Sequence, residues 1–599
     1  MAPRQRVVPE DNKKRKFDID LLFWLLSYIK DKKYLVFVAV ILIILTAAFG
    51  LVSPHLVRIG IDEYIAGGDY NGLLTLAVIY FAVRLFYFLS QFFQMYLTAY
   101  LGQKIMYRMR LDIFEHILKL PKSFFDKNPI GKIMTRVTTD VRALNEMLTS
   151  GFVNFFSQVL MLMGILGYLF FINWKLTLIL LVTTMPLLII GTIFFRKKIV
   201  VLYRKIRTQV AKINSFLQES ISGMSIIQLF NRQKQNMDQF EELNDGWYNF
   251  SVNSMMARAT FFPFISFLSM FAQALIIYLG GKLIFNETVG FTFGSLFLFL
   301  RYMRMFFRPL RQISQQYNIL QRAMAASEKI NTIMDEEEAP TYEDSEGKYR
   351  GELKGEVEFK NVWFAYEEDE WILKDVSFKI TPGETIAIVG PTGSGKTTII
   401  NLIGKFYDIQ KGDILIDGVS INEWDIQHLR KQLGIVLQDV FLFSGNILEN
   451  ITMYEDDYEM EEIEELIGYV NADKFIEKLP NRYETKILER GKTLSFGERQ
   501  LLSFARTLSY SPKMFILDEA TSNIDSETEK YIQDATDKIT SERTSIIIAH
   551  RLSTIENADR ILVVHKGRIK EKGTHEELIQ HEGLYYDLYQ LQSIEESSK

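Results

Sequence analysis

Gly390-Pro391-Thr392-Gly393-Ser394-Gly395-Lys396-Thr397 follows the spacing G-x-x-x-x-G-K-[ST]. Chemistry explains the residue types. Glycine carries no Cβ and tolerates positive φ, so the backbone can wrap closely around a phosphate. Consecutive amides and a following helix N-terminus then turn positive dipole toward the anion. Lys396 adds a full charge near β- and γ-phosphates, and the Thr397 hydroxyl is a magnesium ligand type. The context supports the motif. Thr385-Ile386-Ala387-Ile388-Val389 reads as a strand, and Thr398 onward (Ile399, Ile400, Asn401, Leu402, Ile403) reads as a helix. Gly390 through Thr398 are therefore candidate residues for binding ATP, with Mg²⁺ as the companion ion.

A second chemical feature lies downstream. Met514-Phe515-Ile516-Leu517 is an apolar run that ends in Asp518-Glu519. A buried strand would deliver Asp518 to its tip, to hold Mg²⁺ directly or through water. Glu519 is then placed to orient and deprotonate an attacking water. Alone such a run says little; after a phosphate loop it is specific.

The elements that position these residues are alternating strand-like and helical runs from about residue 355 to the end at 599, the pattern of an α/β domain on a mostly parallel sheet. An acidic, Pro340-containing stretch at 334–354 reads as a linker. The half before it is different in kind. Hydrophobic residues form 48% of the 599 and aromatics 13%, yet 24% are charged, which suits a membrane half joined to a soluble half. The net charge of −5 gives no argument for nucleic acid. The absence of cysteine excludes disulfides, thiolate-bound zinc and iron–sulfur clusters. Length alone suggests about four domain-sized units.

Six apolar segments, 33–58, 73–100, 148–172, 175–196, 259–284 and 290–312, are each long enough to cross a bilayer. Met1–Asp20 lacks a cleavable signal layout, and within the N-terminal segment 1–32 Ile19–Tyr28 reads as an interfacial helix. Lysines and arginines crowd the loops after the second and fourth segments, so both loops and both termini are expected in the cytoplasm. Apolar residues at helical spacing (Ile105, Met109, Ile113, Ile117, Leu120) predict that the spans continue as helices beyond the membrane, each pair ending in a tip that touches a soluble domain. Arg84 and Arg301 fall inside spans with no obvious acidic partner. They either face a water-filled cavity or an anionic substrate group, or they snorkel to lipid phosphate or a partner chain.

In this order the motifs resemble the ATP-binding cassette transporters, specifically exporter half-transporters with a six-span helical membrane domain (33–333) fused to one nucleotide-binding domain (355–599). The resemblance covers nearly the whole chain. It implies that Tyr366 stacks on adenine, that Gln438 contacts Mg²⁺ and the attacking water, and that His550 senses γ-phosphate. Leu494-Ser495-Phe496-Gly497-Glu498 matches the family signature, so Ser495, Gly497 and Glu498 are expected to bind nucleotide. Glu489-Arg490-Gly491 resembles the exporters' coupling segment, and Ser522-Asn523-Ile524-Asp525 the loop crossing the dimer interface. Phe124-Phe125-Asp126 and Glu219–Gly223 resemble the two cytoplasmic coupling regions.

The signature departs from its usual Leu-Ser-Gly-Gly-Gln at Phe496 and Glu498. Phe adds bulk and removes access to positive φ, so a weaker γ-phosphate contact is expected at the site this signature completes. In the family that site belongs to the other domain of a dimer. An intact own machinery (Lys396, Asp518, Glu519, Gln438, His550) with a modified signature resembles the catalytically intact subunit of bacterial heterodimeric multidrug exporters. The implied protein is an ATP-hydrolysing exporter subunit in a bacterial inner membrane, moving amphipathic drugs or lipids, with a second half-transporter and membrane lipids as partners. A homodimeric lipid flippase is the alternative. An ATP-binding regulatory subunit, from a different class, is opposed by Glu519 and His550, and a soluble ATPase acting on nucleic acid by the six spans. Most span aromatics are expected to face lipid or pack helices, the remainder to line an adaptable cavity.

Overall fold

The computed structural model describes residues 27–28, 32–286, 291–339, 348–367, 370–455, 458–518, 526–549 and 552–597. The chain divides into two compact units, where length alone suggested about four. Helices of up to 53 residues explain the difference, because one such rod absorbs the length of half a small domain.

One unit holds residues 1–115 and 131–335. Among the described residues its frame is six long helical stretches: Lys33–Ile65, Tyr70–Lys119, Ile130–Ile172, Trp174–Ser222, Gln233–Phe285 and Phe293–Met334. The second, fourth and fifth run far past their apolar segments, as the helical spacing of the loops predicts. The first five are long and apolar enough to cross a membrane. The sixth carries Arg301, Arg304 and Arg308 within its expected span, so its mean hydropathy is lower. Its other face is a core face: Leu298, Phe299, Tyr302, Phe306 and Phe307 pack with Ile165, Leu169, Leu180, Leu268 and Ile276 from neighbouring helices. Pro54, Pro186, Pro263 and Pro309 sit inside helices, and just before Pro54 the Leu51 carbonyl accepts from the Tyr302 hydroxyl at 2.6 Å. The expected interfacial helix at 19–28 lies outside the described residues apart from Ser27 and Tyr28.

The other unit holds residues 116–130 and 336–599. The strands are β1 (Val357–Ala365), β2 (Trp371–Ile380), β3 (Thr385–Val389), β4 (Lys411–Ile416), β5 (Val419–Ser420), β6 (Leu433–Val436), β7 (Gly445–Asn446), β8 (Lys486–Ile487), β9 (Met514–Asp518), β10 (Thr544–Ile548), β11 (Arg560–His565) and β12 (Arg568–Gly573). A six-stranded sheet has the order β12-β11-β3-β10-β9-β6, parallel except for the β11–β12 hairpin. A four-stranded antiparallel sheet has the order β2-β1-β4-β5. β9 and β10 are buried along their whole length, which is why they read as unbroken apolar runs rather than alternating ones. The fold is thus an α-helical transmembrane domain with long helical extensions and a C-terminal α/β domain with a phosphate loop.

Residues 116–130 join the α/β unit through the short helix Lys122–Lys127. Phe124 is buried, and the Tyr407 hydroxyl donates to the Asp126 carboxylate. Burial, with Asp126 beside it, pushes the Tyr407 hydroxyl well above the usual phenol range.

Candidate functional site

Parallel strands send their C-terminal ends to one edge of the sheet, and the candidate residues gather there. Ile548 of β10 pairs with Ile388 of β3 on one side and with Asp518 of β9 on the other. Leu517 pairs with Val436 of β6. Gly390 therefore begins just past β3, Asp518 ends β9, and Gln438 lies two residues past β6, all at the same rim.

The glycines of the loop serve different needs. Gly390 has φ +152°, and a Cβ there would stand 2.1 Å from the Val564 carbonyl oxygen. At Gly395, φ +107°, a Cβ would meet Leu373 at 2.7 Å. The loop is also held from outside: Gly567, in the β11–β12 turn, donates its amide to the Ser394 carbonyl at 3.1 Å. Lys396 opens the helix Lys396–Ile403. Its Nζ donates to the carbonyls of Gly390 at 2.6 Å and Pro391 at 3.3 Å. Burial pushes this ammonium below the ordinary lysine range, opposed by Asp518.

Thr397 Oγ1 donates to Asp518 Oδ2 at 3.1 Å. Burial pushes the Asp518 carboxyl up, against the Thr397 hydrogen bond and the Lys396 charge, while the Asp439 charge pushes it further up. Asp439 follows Gln438 directly, so this electrostatic effect agrees with the strand register in bringing that loop close to Asp518. Ser394 Oγ is buried without a hydrogen-bond partner.

Tyr366 follows the last residue of β1. Its hydroxyl lies 3.2 Å from Thr398 Oγ1, and its ring stands nearly perpendicular to Phe364 and Tyr407 at 4.8 and 5.0 Å. It is 40% exposed. Two aromatic contacts and a hydrogen bond thus fix a ring beside the phosphate-loop helix. Asn401 continues this line: its Nδ2 donates to the Tyr366 hydroxyl at 3.4 Å, and its Oδ1 accepts from Lys122 Nζ at 3.2 Å. Asn401, Lys122 and Asp439 escaped the sequence reading. Asn401 carries a signal in retrospect, as a polar residue amid Ile399, Ile400, Leu402 and Ile403.

The signature segment is organised around its own helix. Ser495 caps Phe496–Ser509: its hydroxyl accepts from the Glu498 amide at 3.2 Å, and the Glu498 carboxylate accepts from the Ser495 amide at 2.7 Å. Gly497 is buried in the first turn. Phe496 is the first helical residue and is not among those with positive φ. The expected loss from forbidding positive φ therefore does not arise; only the bulk of the ring remains, with the Arg499 guanidinium 5.7 Å from its centre. The left-handed residues lie earlier, at Arg490 (φ +60°) and Gly491 (φ +66°). Glu519, Ser522–Asp525 and His550 lie outside the described residues; their neighbours Asp518 and Ile548 pair in register at the sheet edge.

Comparison with known proteins agrees with this architecture. Residues 36–310 match the family model for the ABC transporter transmembrane region, and residues 373–522 match that for ABC transporters. The chain is 38% identical over 535 residues to the probable multidrug resistance ABC transporter ATP-binding/permease protein YheH of Bacillus subtilis, covering 88% of this chain and 78% of that one. It is 35% identical over 557 residues to the ATP-dependent lipid A-core flippase of Desulfotalea psychrophila, covering 93% and 96%. A solved bacterial Atm1-family ABC exporter with ATP bound matches with a TM-score of 0.74 at 27% identity, covering 94% of this chain and 98% of that one. The chain belongs to the ABC transporter family. It is a half-transporter of the exporter type, with a membrane region fused to an ATP-binding domain, and its activity is ATP hydrolysis coupled to transport across a membrane.

Proposed function

We propose that this chain is the hydrolytically competent half of an exporter whose two ATP-binding domains sandwich two ATP molecules. The observation that carries the reading is the convergence of the Lys396 loop, Thr397 and Asp518 at one sheet edge. The residues fit Mg²⁺. Magnesium–oxygen distances of about 2.1 Å place adjacent octahedral ligands about 3 Å apart, close to the 3.1 Å between Thr397 Oγ1 and Asp518 Oδ2. The buried, unpartnered Ser394 hydroxyl is a further donor beside the loop. When bound, Mg²⁺ neutralises charge on the β- and γ-phosphates. Lys396 exchanges the Gly390 and Pro391 carbonyls for phosphate oxygens. Tyr366 stacks on adenine, Gln438 and Glu519 orient the attacking water, Glu519 takes its proton, and His550 holds the γ-phosphate. Ser495, Gly497 and Glu498 present their helix N-terminus to the nucleotide of the opposing domain.

Domain closure on ATP turns the membrane helices outward, and hydrolysis resets them. The transported class is an amphipathic drug or lipid, in keeping with relatives named for multidrug resistance and lipid A-core flipping. The basic loops support a cytoplasmic ATP-binding domain, and the bacterial relatives support spans in a bacterial inner membrane. The departures at Phe496 and Glu498 favour a heterodimer with a second half-transporter. One observation favours a homodimer: Phe496 takes a helical conformation, so its backbone can serve as a glycine's would.

ATP turnover by the chain purified alone in lipid, with Glu519→Gln as control and particle mass recorded, tests both. Glu519-dependent turnover by a lone dimer establishes the homodimer. Restoration of turnover only by a co-expressed partner establishes the heterodimer. Turnover that survives Glu519→Gln unchanged in either assembly refutes the assigned machinery.

A further inference from the structure

The sixth long helix, Phe293–Met334, carries two faces. Tyr302, Met303, Phe306 and Phe307 are buried in the helical core, whereas Arg301, Arg304 and Arg308 are exposed. At 3.6 residues per turn, Phe293, Phe297, Arg301, Arg304 and Arg308 fall within an arc of about 80°. The two phenylalanines on this face are 67% and 42% exposed. The uncovered side of the helix is therefore aromatic toward its start and cationic below.

Depth follows from the rise of 1.5 Å per residue. Measured from Phe293, the arginines lie about 12, 16 and 22 Å along a bilayer core of about 30 Å. Only Arg308 is close enough to the inner boundary to reach lipid phosphate with an extended side chain. Arg301 lies near mid-depth. Arg304 Nε donates to Gln273 Oε1 at 2.8 Å, a neutral partner that orients the guanidinium and leaves its charge uncompensated.

The chain brings no counter-charge to this depth. Residues 33–61, 70–111, 147–218, 246–286 and 288–327 contain no Asp or Glu. Among the described residues, none of the three arginines forms a salt bridge. A second copy would add more arginines and no acid. Intramembrane arginine without an acidic partner faces a water-filled path or an anionic ligand.

We propose that this face is the substrate track, and that the transported amphiphile carries an anionic headgroup, a carboxylate or a phosphate. The proposal rests on the exporter reading above and narrows it. The headgroup enters at Arg308, passes to the Gln273-oriented Arg304 and then to Arg301, while its apolar chain lies against Phe297 and Phe293. Guanidinium suits either anion, because its planar fork binds both bidentately.

The test is ATP turnover by the assembled transporter in phosphatidylcholine nanodiscs, titrated with oleate, dodecyl phosphate, neutral oleyl alcohol and cationic dodecyltrimethylammonium. Both anions are expected to stimulate Glu519-dependent turnover; their relative potency separates a carboxylate substrate from a phosphate one. Arg301→Gln with Arg304→Gln should raise the half-stimulating anion concentration at least tenfold. Arg304→Lys, which keeps the charge and loses the fork, should raise it by less than the double variant does, with thermal unfolding unchanged in both variants. An unchanged anion dose–response, as expected if a partner's carboxylate neutralises the ladder, overturns the proposal. So does equal stimulation by the neutral or cationic amphiphile, and so does a variant effect that tracks added phosphatidylglycerol alone. In those cases stimulation by any amphiphile leaves the exporter reading standing. Failure of all four to stimulate turnover overturns the proposal as well, whereas only turnover independent of Glu519 counts against the exporter reading.

Discussion

Removing the Lys122 ammonium should loosen the short helix Lys122–Lys127 from the ATP-binding domain by an amount the geometry permits to be worked out. Lys122→Met keeps most of the side-chain stem and deletes the charge. The bond to Asn401 Oδ1 is 3.2 Å long and part-buried. A hydrogen bond to a charged group contributes about 1.5–3 kcal/mol, and this length argues for the lower end. The ammonium also lies 5.2 Å from the Phe406 ring centre and 5.7 Å from that of Tyr407, near the outer limit for cation–π attraction. These add about 0.5 kcal/mol. The sum is about 2 kcal/mol, or roughly 30-fold in the open–closed equilibrium of the helix. Hydrogen exchange in the full-length protein reads this directly at the Asn128 amide, which bonds to the Phe124 carbonyl at 3.0 Å. Its protection should fall about 30-fold in Lys122→Met. Asn401→Ala should produce a similar fall, and the double variant little more, because both remove the same bond. A fall under threefold, or fully additive effects in the double variant, would show that Lys122 does not hold the helix through Asn401.

Gly390→Ala and Gly393→Ala should differ sharply. A Cβ at Gly393 (φ +78°) meets nothing within 4 Å, so backbone strain of about 1–2 kcal/mol and a melting shift of a few degrees are expected, whereas at Gly390 it strikes the Val564 carbonyl and folded protein should fail to accumulate. Asp425 caps helix Ile426–Gln432 by accepting from the His428 amide at 3.1 Å and pairs with Arg350 at 2.7 Å. The His428 amide, with Arg350, holds its carboxyl below the usual range. Its ionised form is favoured in the folded state, so its contribution is present above the unfolded value near 3.9 and is lost as pH falls through the lowered one. Asp425→Ala should cost about 1–2 kcal/mol at neutral pH, with the gap narrowing in acid melts below about pH 4. Phe496→Gly should lower domain stability by about 1 kcal/mol, from glycine in the first helical turn and loss of the Arg499 contact. Since neither residue needs positive φ there, ATP turnover should not fall; a large loss would show that the ring itself serves catalysis.

What was legible in the sequence is what chemistry constrains locally. A phosphate cradle requires glycines at fixed positions, and Gly390 and Gly395 prove to need both their φ values and the missing Cβ. A bilayer requires apolar length, so all six segments were legible; five form helices apolar enough to cross a membrane, and the sixth, with its arginines, forms a long helix of lower hydropathy. A buried parallel strand must be apolar throughout, which made Met514–Asp518 recognisable as the bearer of a carboxylate. Contacts set by tertiary geometry left no such trace. Lys122 and Asn401 are 279 residues apart, and nothing in either neighbourhood names the other. The support of the phosphate loop by Gly567 is of the same kind: only the fold reveals that its amide holds Ser394.

The signature shows how one string can hold two readings. Ser495-Phe496-Gly497-Glu498 departs from its family motif at Phe496 and Glu498, and that comparison made the change look costly. The same residues also fit S-x-x-E, the capping box that starts a helix. In the structure the capping reading governs geometry: Ser495 and Glu498 satisfy each other's amides and Phe496 takes the first helical position. A helix N-terminus presents free amides whichever residue occupies that first turn, provided the backbone is helical. The substitution therefore acts through the volume and polarity of the Phe496 ring. For the heterodimer proposed above, asymmetry at this signature comes from the Phe496 and Glu498 side chains and from no change in the main chain.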